Sequence, residues 1–154
     1  MDEISVQERI AAPPDRLWAL VSDVTRMGTI SPETTGCRWI GGASRPAVGA
    51  RFRGSNRSHG RRWSTTCTVV EAEPGRSFAF AVTVGPVKVA RWGYRFEPDG
   101  DGTVVTEWWR DERASWMVRL SPVATGVSDR AEHNRQTMGE TLRRLRRQAE
   151  APTP

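Results

Sequence analysis

The 154-residue chain is short of several residue types that usually announce a chemistry. It has two cysteines, Cys37 and Cys67, too few for the disulfide framework of a small secreted domain, so both read as reduced structural thiols. It has two histidines, His59 and His133, at no metal-ligand spacing with each other or with a cysteine. No metal and no cofactor are therefore expected. A nucleophile elbow, a phosphate loop and a dinucleotide fingerprint are all absent, because the glycines between Gly93 and Gly102 have neither the spacing nor the following helix. A Cys–His dyad built on Cys37 or Cys67 is the minor alternative to a buried thiol. No apolar run approaches a membrane span, and the start Met1-Asp-Glu-Ile-Ser-Val-Gln is acidic and strand-like rather than a signal peptide. The expectation is a cytoplasmic protein with no membrane span.

Lysine is nearly missing: 22 of the 23 basic residues are arginine, Lys88 is the exception, and the net charge is +5. Such a charge suits an anionic partner such as nucleic acid or a ribosome, but arginine-rich composition also follows from GC-rich codons. The arginines are spread along the chain, apart from Arg61-Arg62 and Arg143-Arg144-Leu-Arg146-Arg147, so nucleic acid is not the expected partner. Length and composition fit one globular domain over residues 1–150, able to bury a core and enclose a modest cavity, with Ala151–Pro154 as a frayed tail. A monomer and a homodimer are equally compatible with the sequence.

What the chain does have is periodicity. Ile4, Val6, Glu8 and Ile10 alternate with polar residues as a first strand. Pro13-Pro14 and Asp15 open a short helix carrying Leu17, Trp18, Leu20 and Val21, and Thr25–Ser31 forms a second brief turn that Pro32 stops. Strands are predicted at 37–41, 50–56, 62–73 and 76–84, separated by Gly- and Pro-containing turns such as Ser58-His59-Gly60. A hairpin follows over 91–111, in which Trp92, Tyr94 and Phe96 alternate with charged residues and Pro98-Asp-Gly-Asp-Gly102 turns the chain. Around Ser115 to Gly126 periodicity is lost. Ser128-Asp129 then caps a long helix to about Gln148, whose apolar stripe is Val127, Ala131, Asn134, Met138, Leu142, Leu145 and Ala149. A stripe of that length needs a one-sided sheet to cover it, which makes the fold α+β: a curved antiparallel sheet of about seven strands wrapped around the last helix, with two short helices after the first strand.

Several segments, in order over residues 3–148, carry a family resemblance: Ala12-Pro13-Pro14 into Leu17–Val24, Arg26-Met27, Ser31-Pro32-Glu33, Gly49-Ala-Arg-Phe52, Arg62-Trp63, Val70–Arg76, and Tyr94-Arg-Phe96 with Gly102-Thr103. In these the chain resembles the START-like, or SRPBCC, superfamily with the helix-grip fold, near its polyketide cyclase/dehydrase and lipid-transport branch. The resemblance implies a deep cavity between sheet and C-terminal helix that receives a hydrophobic or aromatic, polyketide- or lipid-like small molecule.

Strand parity nominates the cavity wall. Trp92, Tyr94 and Phe96 face the helix, because their neighbours Arg91, Arg95 and Glu97 prefer water. The return strand has two possible registers. Pairing Pro98 with Thr103 puts Val105, Glu107, Trp109 and Asp111 inside, whereas an odd loop puts Val104, Thr106, Trp108 and Arg110 there; the family pattern favours the first. Glu107 then lies opposite Tyr94, walled by Trp92 and Trp109, where lost hydration raises a carboxyl pKa toward general acid or base work. The expected ligand-binding set is Trp63, Trp92, Tyr94, Phe96, Glu107, Trp109, Asn134 and Met138, with Glu107 and Tyr94 as catalytic candidates. Trp63 could equally fill core, and Asn134 could equally sit near solvent. Trp116 and Met117 suggest an entrance, and Met27 and Ile30 a lid. Carriage of a ligand in a cavity of roughly 300 to 1,000 Å³ is the leading reading. The alternatives are an aromatase/cyclase or dehydratase using Glu107 and Tyr94, and a basic interaction module for a chaperone or ribosome using the Arg-rich face of the last helix.

Overall fold

The computed structural model describes residues 3–152, so Met1, Asp2 and the last two residues of the expected tail, Thr153 and Pro154, lie outside the described residues. Seven strands form one antiparallel sheet: β1 (Glu3–Ile10), β2 (Thr34–Ile40), β3 (Arg51–Ser58), β4 (Arg61–Glu73), β5 (Ser77–Val84), β6 (Val87–Asp99) and β7 (Gly102–Asp111). Their spatial order is β1-β7-β6-β5-β4-β3-β2, with each pair antiparallel. Helices α1 (Pro14–Ser22) and α2 (Met27–Ile30), separated by a 3-10 turn at Val24–Arg26, follow β1. Helices α3 (Ser115–Thr125) and α4 (Arg130–Glu150) follow β7. This is the helix-grip architecture expected from the residue pattern.

The sheet curves for identifiable reasons. Register slips between Thr34 and Gly36, between Val69 and Glu71, and opposite Val82 and Thr83, and each extra residue bends its strand and strengthens the local twist. The tight β3–β4 turn is His59-Gly60, whose φ values of 50° and 77° match the two-residue hairpin turn that fits the twist of paired strands. Into the resulting concavity α4 presses Asn134, Met138, Thr141, Leu142, Leu145 and Ala149, with Met138, Leu142 and Leu145 fully buried. Each such side chain contributes about 1.5–3 kcal/mol by leaving water. The Asp129 side chain accepts from the Glu132 N–H at 3.1 Å and starts the helix where the sequence places it. Short helix α1 is pinned by the Trp18 indole, which donates to the Ser77 carbonyl at 2.7 Å.

The β6–β7 hairpin adopts the Pro98–Thr103 register, so Trp92 pairs with Trp109 and Tyr94 with Glu107. On the far side of Glu107, Val6 of β1 completes the row. The face that carries Trp108 is the convex one, yet Trp108 is only 5% exposed. Its ring lies across Gly93, the residue opposite it, and the Arg95 and Arg110 guanidinium groups stand over it at 5.3 and 5.5 Å. Glu3 holds both arginines at 3.2 Å; burial pushes its carboxyl upward, but these bonds outweigh burial and keep it below the usual range. The outer face is therefore not uniformly wet, as simple alternation predicts.

The segment Ser115–Thr125, expected to lack regular structure, is a helix. Its pattern is inverted. Trp116, Leu120 and Val123 point outward, while Ser121 and Thr125 face the protein, and Pro122 interrupts the usual helix signals. Gly126, at φ 75°, ends it. Strand β6 also begins at Val87, earlier than the predicted hairpin, because the Gly85-Pro86 turn is short.

A Cβ at position 93 would overlap the Trp108 ring rather than a flexible chain end. Gly93→Ala should destabilise the protein by about 1–3 kcal/mol. The expected readout is a lower urea midpoint at unchanged m value; an unshifted midpoint would show that Trp108 is free to swing away.

Candidate functional site

Sheet curvature leaves a cavity of about 150 Å³ between α4 and the concave face, smaller than the expected range because Phe52, Trp63, Phe80, Trp92 and Trp109 project into it. Of the sequence-predicted residues, Trp63, Trp92, Tyr94, Glu107, Trp109 and Asn134 line this wall. Phe96 does not: it packs in the main apolar core. Met138 sits behind Trp109 and Ala90 in a second core cluster, also off the wall. Met138 lies between the wall residues Asn134 and Thr141 along α4 but is turned aside, toward Ile4, Val6 and Ala131. Met27 lines the cavity under α2, whereas Ile30 is core. Trp116 and Met117 are on α3 but not on the wall; the α3 residues that are, Ser121 and Thr125, were not singled out.

At the deep end the Tyr94 hydroxyl donates to Glu107 Oε1 at 3.0 Å. Both side chains are buried, at 2% and 3% exposed. Glu107 Oε2 has no hydrogen-bond partner, and no cation pairs with the carboxylate among the described residues. Burial pushes the Glu107 carboxyl up to about 8, since the single bond from Tyr94 opposes the shift only weakly. Tyr94 is pushed above its ordinary value by burial and by the adjacent carboxyl. At neutral pH the carboxyl is mainly neutral. With Oε1 accepting from Tyr94, its proton belongs on Oε2, the oxygen that has no partner in the protein.

Cys37 and Cys67 face the same space. Burial pushes their thiols up to about 11 and about 12, away from the thiolate that a Cys–His dyad needs. Among the described residues no group of three or more His, Cys, Asp or Glu side chains is arranged to hold a metal ion.

The mouth is polar. Glu33, between α2 and β2, accepts from Arg130 Nη1 at 2.9 Å and lies 2.7 Å from His133 Nε2. Arg130 also reaches Asn134 Oδ1 at 3.5 Å and stands 5.8 Å from the Trp63 ring centre. Asn134, second-turn and 2% exposed, thus joins the rim to the interior rather than facing solvent. Arg113, held by Asp111 at 2.7 Å, forms another part of the rim. Glu33, Arg113, Arg130 and Thr141 were missed as lining residues; only Glu33 had a sequence signal, within Ser31-Pro32-Glu33, and the others depend on how α4 crosses the sheet.

Glu107 also makes stability depend on pH. The unfolded carboxyl ionises near 4.5 and the folded one near 8, so between these values the unfolded state has lost the proton that the folded state keeps. Stability from this group is greatest below the lower value and falls as pH rises toward the higher. Glu107→Gln should therefore gain stability relative to the parent between about pH 5 and 8, by on the order of a few kcal/mol, and the difference should level off above that range. Denaturation of both proteins across pH checks this; a constant difference would mean that the folded carboxyl titrates normally.

A family described as polyketide cyclase/dehydrase and lipid transport matches residues 1–150. Among solved structures, a polyketide-cyclase-like protein from Corynebacterium glutamicum is 33% identical, with 96% of this chain and 93% of that one covered and a TM-score of 0.59. Ginseng major latex-like protein 151 from Panax ginseng shares the fold at 15% identity, TM-score 0.75, covering 97% of this chain and 98% of its own. So does the di-domain ARO/CYC StfQ of the steffimycin biosynthetic pathway, at 14% identity and TM-score 0.74 over 96% of this chain and 50% of that one. No curated protein matches the chain. Matched along nearly its whole length, the chain belongs to the polyketide cyclase/dehydrase and lipid-transport family of the SRPBCC superfamily.

Proposed function

We propose that this protein binds a small, neutral, ring-containing hydrophobic molecule in the cavity beneath α4, with one ligand oxygen set against Glu107. The observation that carries this reading is the combination of an indole-rich wall with one unpartnered carboxyl oxygen at its deep end. Trp92 and Trp109 supply flat apolar surface, and Glu107 Oε2 supplies one hydrogen bond to an acceptor such as a carbonyl or hydroxyl oxygen. A ligand carboxylate at that depth would lose hydration without gaining a cation. A single compact ring system suits the volume.

Native mass spectrometry of protein purified from its own host tests the reading directly, since a co-purifying small molecule of this class is expected. A second test uses 2-naphthol as probe, followed by quenching of the tryptophan fluorescence. Thr141→Phe extends a ring from α4 into the cavity and should weaken 2-naphthol binding about ten-fold, or roughly 1.4 kcal/mol. Undiminished affinity in a folded variant would place the probe elsewhere and remove the proposal.

The same oxygen favours a second reading, acid–base catalysis in a cyclisation or dehydration. A carboxyl with a pKa of about 8 populates both protonation states near neutral pH. As carboxylate, Glu107 would take the proton beside a ligand carbonyl; as acid, it would return that proton to a departing hydroxyl, which leaves as water. Tyr94 orients the carboxyl through its hydrogen bond. Glu107→Gln should abolish turnover while leaving ligand affinity within a few fold, whereas equal turnover in the variant leaves carriage alone.

A further inference from the structure

We propose that the outward face of α3 docks onto an anionic lipid surface beside the cavity mouth. Among the described residues, four of the six exposed large apolar side chains are on this one helix: Trp116, Val118, Leu120 and Val123, at 56%, 42%, 60% and 75% exposed. Trp116, Leu120 and Val123 recur at i, i+4 and i+7 and so share one face. The opposite face carries Ser121 and Thr125, which line the cavity. An amphipathic helix normally turns its apolar side inward; this one turns it to the surroundings, next to a ligand chamber.

Charge selects the occupant. No aspartate or glutamate occurs from Arg113 through Ser128. Arg119 lies beside the apolar stripe, and neighbouring β4 brings Arg61, whose Nε is bonded to the Val123 carbonyl at 2.9 Å. Both are exposed and in no ion pair among the described residues. On α4 the situation is reversed, because Arg135 pairs with Glu132, Arg143, Arg144 and Arg147 with Glu140, and Arg146 with Glu8 and Glu150. Unpaired cations without a neighbouring carboxylate in sequence thus flank the apolar stripe. An apolar ridge with Trp at one end and arginines along its flank matches the boundary between headgroups and acyl chains. A second copy of this chain fits less well: an 11-residue helix is only about 16 Å long, and its stripe falls short of the roughly 800 Å² per partner that a stable dimer uses. The inference goes beyond the cavity reading and does not depend on it.

Co-sedimentation of the whole protein with vesicles tests this. Binding is expected to phosphatidylcholine containing about 30% phosphatidylglycerol, weaker binding to phosphatidylcholine alone, and release as salt is raised. Leu120→Gln with Val123→Gln should reduce binding to the mixed vesicles about ten-fold, with an unchanged circular dichroism spectrum. Arg119→Glu should reduce it through charge alone. The proposal is overturned if the parent stays in the supernatant with mixed vesicles or if the double variant binds equally well. It is also overturned if light scattering finds a dimer that the double variant abolishes, since the occupant is then a second copy.

Discussion

Everything at the candidate site depends on the seating of α4 in a bent sheet. Met138, Leu142 and Leu145 are fully buried, and their loss of contact with water holds the helix against strands that three register slips have curved. A flat sheet would meet the helix along its length and leave no chamber. Because it is curved, contact is close near Leu142 and Leu145 and opens toward Asn134, where the wall is made of indoles and a carboxyl rather than of aliphatic core. The chamber is thus the residue of a mismatch between a straight helix and a concave surface.

Within that chamber the physics of one carboxyl dominates. Glu107 is enclosed by Val6, Tyr94 and the ring wall, and the arginines that could neutralise it are engaged elsewhere: Arg113 with Asp111 and Arg130 with Glu33. A buried carboxylate without a cation is costly, so the group keeps its proton, and an acid becomes a hydrogen-bond donor facing an apolar space. The rim behaves oppositely. There Glu33 is charge-paired and bonded by Arg130 and His133, which ties α2, β2 and α4 together at the mouth while the interior stays neutral. A polar, paired mouth over an unpaired deep donor suits a ligand that is mostly apolar with one buried oxygen.

Much of this was legible in the residues. A period of two over Trp92, Tyr94 and Phe96, the turn at Gly100, and a three- and four-residue stripe from Asn134 to Ala149 identified the sheet, the hairpin and the gripping helix. The family pattern, with an inward apolar residue two after Thr103, favours the register that turns Glu107 inward, and the structure has that register. Two kinds of feature escaped. Helix α3 escaped because its apolar face is directed outward and its inward face is serine and threonine, the reverse of the pattern that identifies a packed helix. Phe96 escaped because periodicity specifies a face without specifying how far along it the cavity runs, and Thr141 and Met138 escaped because the wall follows only part of the buried face of α4.

Apart from α3, the elements and the covered side of each strand follow from alternation and helical spacing, which are local properties enforced by the pleat and by the turn of the helix. Trp108 shows where local rules end: it belongs to the outer set, yet Gly93 beneath it and Arg95 and Arg110 above it bury its ring. Packing between distant segments is what leaves Glu107 on the cavity wall without a cation among the described residues, and what sets Arg61 against the exposed apolar face of α3. Those outcomes are set by distances between residues far apart in the chain, where a difference of a few ångströms separates an ion pair from an isolated acid.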